Sequence, residues 1–319
     1  MVSPSRGQPA RFSPIGIAGL IFRPESSRSV LGLQCQKPLM LSASARSVKN
    51  RIFRRCLPFA LILLAIPLVA TGQTDEIQVY DAEIAEPGVF NLMIHTNYTP
   101  IGRKTPDFPG AIIANQSVNG TAEWAYGVTD WFEQGLYLPV WTPHSENRGG
   151  SIDGFKLREL FVRPHAAERK FFYGVNFEFS VNYLYWEPKH ITSEIRPIIG
   201  THLGKIDFIF NPIVDTDYTG GVRNLEFVPA TRLAYNLNPK WAVAVEEYSD
   251  FGPLKNFLPV SDQFHEVWAV FDHPGKGVNI EAGVGVGVTG GADRLTFKLM
   301  VSRDLNPKKA IAAARSFLP

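Results

Sequence analysis

The sequence predicts an all-β fold: a closed antiparallel transmembrane β-barrel of about twelve strands, with short periplasmic turns and longer outer loops. Three observations predict it. From about residue 88 to 304 the dominant hydrophobic period is two. The alternating runs are long, mostly 9–14 residues. The connections between them alternate between short and long.

The first element in chain order is an address. Residues 57–70, LPFALILLAIPLVA, form a 14-residue apolar run behind the basic residues Lys49, Arg51, Arg54 and Arg55. A membrane helix needs roughly 20 such residues to cross about 30 Å of hydrocarbon. The short run, the basic lead and the small residues at Ala70-Thr71-Gly72 instead make a cleaved bacterial secretory signal over 40–72. Met40 stands where such a signal begins, so 1–39 reads as an upstream over-extension or as disordered. Cys35 and Cys56 both precede the cleavage point, which leaves an exported chain without cysteine. The net charge of +2 hides a split. Residues 1–72 hold ten basic and one acidic side chain, and the rest of the chain holds 22 basic and 29 acidic ones. The exported part is therefore acidic, and nucleic acid is excluded as a partner. A charged fraction of 19% with 12% aromatics also excludes disorder as the main state. An acidic stretch, Asp75–Glu86, falls in a periplasmic lead-in at 73–87.

The barrel is expected over 88–304. At 173–183, Tyr173, Val175, Phe177, Phe179, Val181 and Tyr183 share one face, and Gly174, Asn176, Glu178, Ser180 and Asn182 share the other. Such a segment is a strand with one apolar and one polar side. The same alternation marks twelve segments: 88–98, 116–127, 132–142, 155–163, 171–184, 190–203, 205–215, 224–237, 240–250, 265–272, 278–289 and 293–303. Their length suits the roughly 9–11 residues of a tilted strand crossing a bilayer. Thr129-Asp130, Leu203-Gly204-Lys205 and Asn238-Pro239-Lys240 are tight turns, and Pro164–Lys170 and His273–Gly277 are moderately short. Between them lie 99–115, 143–154, 185–189, 216–223, 251–264 and 290–292. Five connections at one end and six at the other require both termini on one side.

Lipid offers no hydrogen-bond partner, so every strand edge must be paired, and closure is the way strands achieve it. The apolar face then points outward. By alternation the bore carries Glu123, Glu133, Lys156, Arg158, Glu178, Glu194, Arg196, Asp207, Glu226, Arg232, Glu246, Glu281 and Lys298. Two carboxylates fall on the outward face: Glu247, expected near the outer rim, and Glu159, which predicts a bulge or a shifted register in the fourth strand. Tyr126, Trp131, Tyr173, Tyr235 and Trp241 lie near short-turn ends, and Tyr98, Trp141, Tyr183, Trp186 and Tyr248 near loop ends. Both sets are read as membrane-interface aromatics.

Several features carry a resemblance. They are the turn Tyr126-Gly127-Val128-Thr129-Asp130-Trp131, the run Lys156-Leu157-Arg158 before Phe161-Val162-Arg163-Pro164, the turn Leu237-Asn238-Pro239-Lys240-Trp241, and the closing hairpin from Gly283 to Leu299 with Asp293-Arg294-Leu295. Over about 76–304 the chain resembles the bacterial outer-membrane transporters grouped as the "MetA-pathway of phenol degradation" family. The resemblance implies a Gram-negative outer-membrane barrel that admits small molecules, hydrophobic or aromatic ones among them. Its partners would be outer-membrane lipid and the barrel-assembly machinery. Outer-membrane strands commonly end the chain with an aromatic residue read by the assembly machinery; here a tail, 305–319, follows the last strand and ends Phe317-Leu318-Pro319, so either the signal is internal, near Leu299–Leu305, or assembly differs.

The bore admits two functions, a conduit for solute and a structural or surface-interaction barrel with a plugged lumen. Twelve strands lie between the filled eight-stranded and the open sixteen-stranded barrels. Five basic and eight acidic inward groups weakly favour cations. A third class, an outer-membrane hydrolase, would rest on Ser117 within Asn115-Gln116-Ser117-Val118-Asn119-Gly120, with His95 on the neighbouring strand as base. No histidine stands at the expected place beside the serine, so the reading is non-enzymatic. His95, His144, His165, His190, His202, His265 and His273 share no metal-ligand spacing, and no metal or other cofactor is expected. The run Gly283-Val284-Gly285-Val286-Gly287 sits inside an alternating strand with no helix after it, so it is not a phosphate loop.

Overall fold

In a computed structural model the described residues, 75–307, form a ring of twelve antiparallel strands. The expected signal peptide, the residues before it and most of the C-terminal tail lie outside the described residues. The strands in chain order are β1 (Phe90–Ile101), β2 (Ser117–Gly127), β3 (Phe132–His144), β4 (Ser151–Val162), β5 (Phe171–Asn182), β6 (Ile191–Leu203), β7 (Ile206–Asn211), β8 (Val214–Thr216), β9 (Glu226–Phe227), β10 (Ala230–Asn238), β11 (Trp241–Asp250), β12 (Phe264–Pro274), β13 (Asn279–Gly287) and β14 (Leu295–Asp304). Each barrel strand pairs with the next, and β14 pairs with β1, so no edge is left open. The register Asn91↔Asp304 through Tyr98↔Phe297 seals the seam. Among the described residues the helical content is two single 3-10 turns, Ala166–Glu168 and Gly221–Asn224.

All twelve expected segments are barrel strands. Alternation sets their faces. In β11, Trp241, Val243 and Val245 are exposed on the outside, while Ala242, Ala244 and Glu246 are buried inside. Gly204, with φ 68, supplies the left-handed residue of the β6–β7 turn. Asn238 Oδ1 accepts the Lys240 N–H at 2.9 Å and fixes the β10–β11 turn.

Three local expectations need correction. The segments 205–215 and 224–237 are interrupted, because Pro212 and Pro229 cannot donate to a ladder. The chain leaves the ring after Asn211, and the hairpin of β8 and β9 continues the wall of β6 toward the long-loop end. Glu159 marks no bulge. The β4–β5 register is continuous from Gly154 to Val162, and Glu159 sits on the outer surface, where Gln134 Nε2 donates to it at 3.0 Å. The irregularities lie elsewhere: the register shifts in β3 around Pro139, and in β4 Asp153 is passed over between Gly154 and Ile152.

The larger correction concerns the lead-in. Asp75–Val89 does not lie outside the barrel; it lies within the bore as a strap, from Asp75, held by Lys156, down to Gly88, bonded to Gly127 at the short-turn end. Val79, Tyr80 and Ala82 pack on Leu160, Phe172, Ile198 and Ile209. The bore is thus partly apolar in its short-turn half. Small residues make room on the wall opposite: a Cβ on Gly285 would stand 2.2 Å from the inward indole of Trp268.

Candidate functional site

The strap is held from every side. At its lower end Gly88 N donates to Gly127 O at 2.6 Å, and Ala85 N to Glu133 Oε2 at 2.5 Å. At mid-height the Tyr80 backbone makes a reciprocal pair with the Asn211 side chain, at 2.8 and 3.0 Å. The Tyr80 hydroxyl meets Tyr137 Oη at 2.5 Å and accepts from Arg158 at 3.4 Å. Higher up, Lys298 Nζ donates to Ile77 O at 3.0 Å and Arg196 Nη1 to Gln78 O at 3.0 Å. Lys156 Nζ donates to Asp75 Oδ1 at 2.8 Å. Four inward cations therefore grip one segment.

The same cations pair with the wall. Arg158 bridges Glu123, at 2.7 Å, and Glu133; Glu123 in turn meets His95 at 3.1 Å. Lys298 lies between Glu246 and Glu281, at 2.5 and 2.6 Å, and Arg232 joins Glu246, Glu281 and Asp272. Arg196 pairs with Glu194 at 2.6 Å, and Lys156 stands 3.7 Å from Glu178. Asp207 bonds His202 at 2.6 Å and takes the Asn236 amide. Of the thirteen inward candidates, only Glu226 is off the ring; it lies on β9, in the long-loop cluster.

Above the strap, a cavity of about 1170 Å³ reaches the long-loop end. Asp75, Glu76 and Gln78 of the strap line its lower part. Asp215, Glu226, Glu187 and Asp250 line the loop side, and Phe108, Trp186, Leu258 and Phe264 supply apolar wall. Burial and the nearby Glu226 carboxylate push Glu187 up to about 8, against the pull of Lys156. Burial, then Asp250 and Asp217, push Glu226 up to about 7. Sequence reasoning did not find Asp215, Glu187, Asp250 or the strap contacts of Tyr80 and Asn211. The acidic composition of 75–86 was a signal for the strap, but its place inside the ring depends on contacts with strands all around the wall.

The aromatic set divides. Tyr98, Tyr126, Trp131, Tyr173, Tyr183, Tyr235 and Trp241 are exposed, and Trp141 is half-buried. The outer surface near the short turns carries aromatic pairs, the stacked Phe132–Phe161 at 4.8 Å and the tilted Phe90–Tyr126 at 4.5 Å and Trp241–Phe271 at 4.6 Å. Trp186 and Tyr248 are corrected. Trp186 is 4% exposed and packs inside on Ile112, Tyr137 and Val140. Tyr248 follows the inward phase of β11 and donates to Glu246 at 2.7 Å.

The hydrolase constellation is not assembled. Ser117 Oγ donates to Ala114 O at 2.7 Å, and Ser117 pairs with Thr99 while His95 pairs with Thr121, four positions along the strand. Among the described residues no three His, Cys, Asp or Glu side chains converge as a metal set.

No protein-family model matches the chain, and no curated protein matches it. Solved structures do. An outer membrane channel from Pseudomonas putida F1 superimposes with a TM-score of 0.51 at 12% identity, covering 72% of this chain and all of that one. The NanC porin gives 0.44 at 10% identity over 67% of this chain and all of that one. The first likeness supports the closed twelve-strand fold.

Proposed function

We propose that this chain is an outer-membrane channel for small solutes, closed at mid-height by its own strap. The observation that carries the proposal is the inversion of the ring: large apolar side chains cover its outside while paired charges fill its inside. Transferring that outside to water would expose an apolar belt far larger than soluble monomers show, whereas lipid covers it without cost to the paired edges. The likeness to a channel of known structure supports the same reading. On this reading the short turns face the periplasm of a Gram-negative cell, and the long loops and the cavity face outward. Residues 40–72 are the cleaved export signal, lipid and the barrel-assembly machinery are the partners, and the chain is not an enzyme. The phenol-degradation resemblance proposes small hydrophobic or aromatic solutes.

The strap favours one alternative, a permanently plugged structural barrel. Liposome swelling and planar-bilayer conductance separate the two. Measurable ion conductance and uptake of small solutes are expected, with a heat-modifiable gel band and recovery in the outer-membrane fraction. A folded barrel that neither conducts nor takes up any solute would reject the channel.

A further inference from the structure

We infer that the cavity above the strap is a binding site for an organic cation, an ammonium or amidinium group on an apolar body. This deepens the channel reading by naming its solute class. Eleven carboxylate side chains line the cavity against five cationic ones. That excess alone would describe a solvated acidic mouth. The second observation is that part of it is buried without donors. Glu76 is 6% exposed, and neither of its carboxylate oxygens takes a hydrogen bond from the protein. The neighbouring Arg196 guanidinium holds Nη1 at 3.6 Å, but donates from Nη1 to Gln78 O and from Nε and Nη2 to Glu194. Asp75, 4% exposed, keeps Oδ2 likewise unbonded, and so does Asp215 with Oδ1. A buried carboxylate oxygen without a donor is costly, and an N–H-rich cation is the complementary group.

The rest of the lining selects the kind of cation. A bare metal ion needs several oxygens converging on one point, and among the described residues no such set exists. An ammonium needs only one or two acceptors and gains from aromatic faces. Phe108, Trp186 and Phe264 supply those faces in the same cavity, and Leu258 adds aliphatic wall. The volume, about 1170 Å³, is ample for a drug-sized molecule.

Three probes that share a body and differ in charge test the assignment: benzylamine, benzyl alcohol and benzoate, titrated calorimetrically into the folded barrel in detergent. Benzylamine is expected to bind about tenfold or more tighter than benzyl alcohol, the worth of one charge-assisted hydrogen bond, with benzoate weakest. Glu76→Gln and Asp215→Asn should each weaken benzylamine by about the same factor and leave benzyl alcohol unchanged. Glu159→Gln on the outer surface should change nothing. A heat-modifiable gel band checks folding, and Asp215→Asn, on the loop hairpin, stands in if Glu76→Gln does not fold. Equal binding of all three probes, a preference for benzoate, indifference to both substitutions, or binding of calcium without benzylamine each overturns the inference. Liposome uptake is measured separately. Solute uptake without benzylamine selectivity overturns the site and keeps the channel, and binding without uptake does the reverse.

Discussion

Replacing Tyr80 by alanine tests whether the strap is what closes the bore. Tyr80 is 4% exposed, and its ring lies 4.3 Å from the Arg196 guanidinium and packs in the cluster of Leu160, Phe172 and Ile198. Truncating a buried aromatic costs about 3–5 kcal/mol. The bonds from Asn211 go to the Tyr80 backbone and survive the substitution. At about 1.4 kcal/mol per decade, the released-to-docked ratio of the strap should rise by about two to three and a half orders of magnitude. Single-channel recording in planar bilayers reads this as longer or more frequent high-conductance episodes, and liposome swelling as faster uptake. Tyr80→Phe keeps the packing and loses only the hydroxyl bonds to Tyr137 and Arg158, worth about 1 kcal/mol, so it should give a much smaller rise. A folded Tyr80→Ala barrel with unchanged conductance and uptake would refute the reasoning, because the closure would then lie elsewhere.

Three further outcomes follow from the same geometry. Lys298→Met leaves Glu246 and Glu281 buried with Arg232 alone, and should destabilise the barrel by about 3–5 kcal/mol, read as a lower urea midpoint. Glu159→Leu removes a carboxylate from the outer surface; the effect should be neutral or stabilising by up to about 1 kcal/mol in lipid, and a clear loss of stability would contradict the outward placement. Benzylamine affinity should rise with pH. Glu187, facing Glu226, Asp217, Asp107 and Lys156, ionises only near 8, and Glu226, facing Asp250 and Asp217, near 7. The cation prefers the ionised forms, so binding releases protons from the site, and calorimetry should show affinity climbing from about pH 6 to about pH 8 and falling again where the amine itself loses its proton.

Much of the ring was legible because a period of two is a local property. Every barrel strand shows it, and a register of one residue decides which side each charge takes. Pro212 and Pro229 were equally visible, yet their consequence, a strand that leaves the ring and a hairpin that replaces it, depends on which neighbour is free to pair. Trp186 and Tyr248 failed for related reasons. Trp186 lies past the end of β5, where alternation no longer fixes direction. Tyr248 stands two positions after Glu246, in the inward phase, and proximity to a loop end was the wrong criterion for it. The strap was beyond local reasoning altogether, because its partners Asn211, Lys298 and Arg196 lie 118 to 221 positions away.

That non-local grip has a consequence for how the bore can open. Each cation that holds the strap also holds a wall carboxylate: Lys156 has Glu178, Arg158 has Glu123 and Glu133, Arg196 has Glu194, and Lys298 has Glu246 and Glu281. Withdrawing the strap therefore strands no wall charge, and entering water replaces the lost contacts to Ile77 O and Gln78 O. Water can replace the polar contacts in kind, each bond to a charged group being worth about 1.5–3 kcal/mol net. Water cannot replace the apolar anchor: Val79, Tyr80 and Ala82 must leave Phe172, Ile198 and Ile209 for solvent. The resistance to opening accordingly sits in the anchor, at the short-turn half. Truncating the anchor aromatic, at about 3–5 kcal/mol, should act on the closed state more strongly than losing any one cation's bond to the strap.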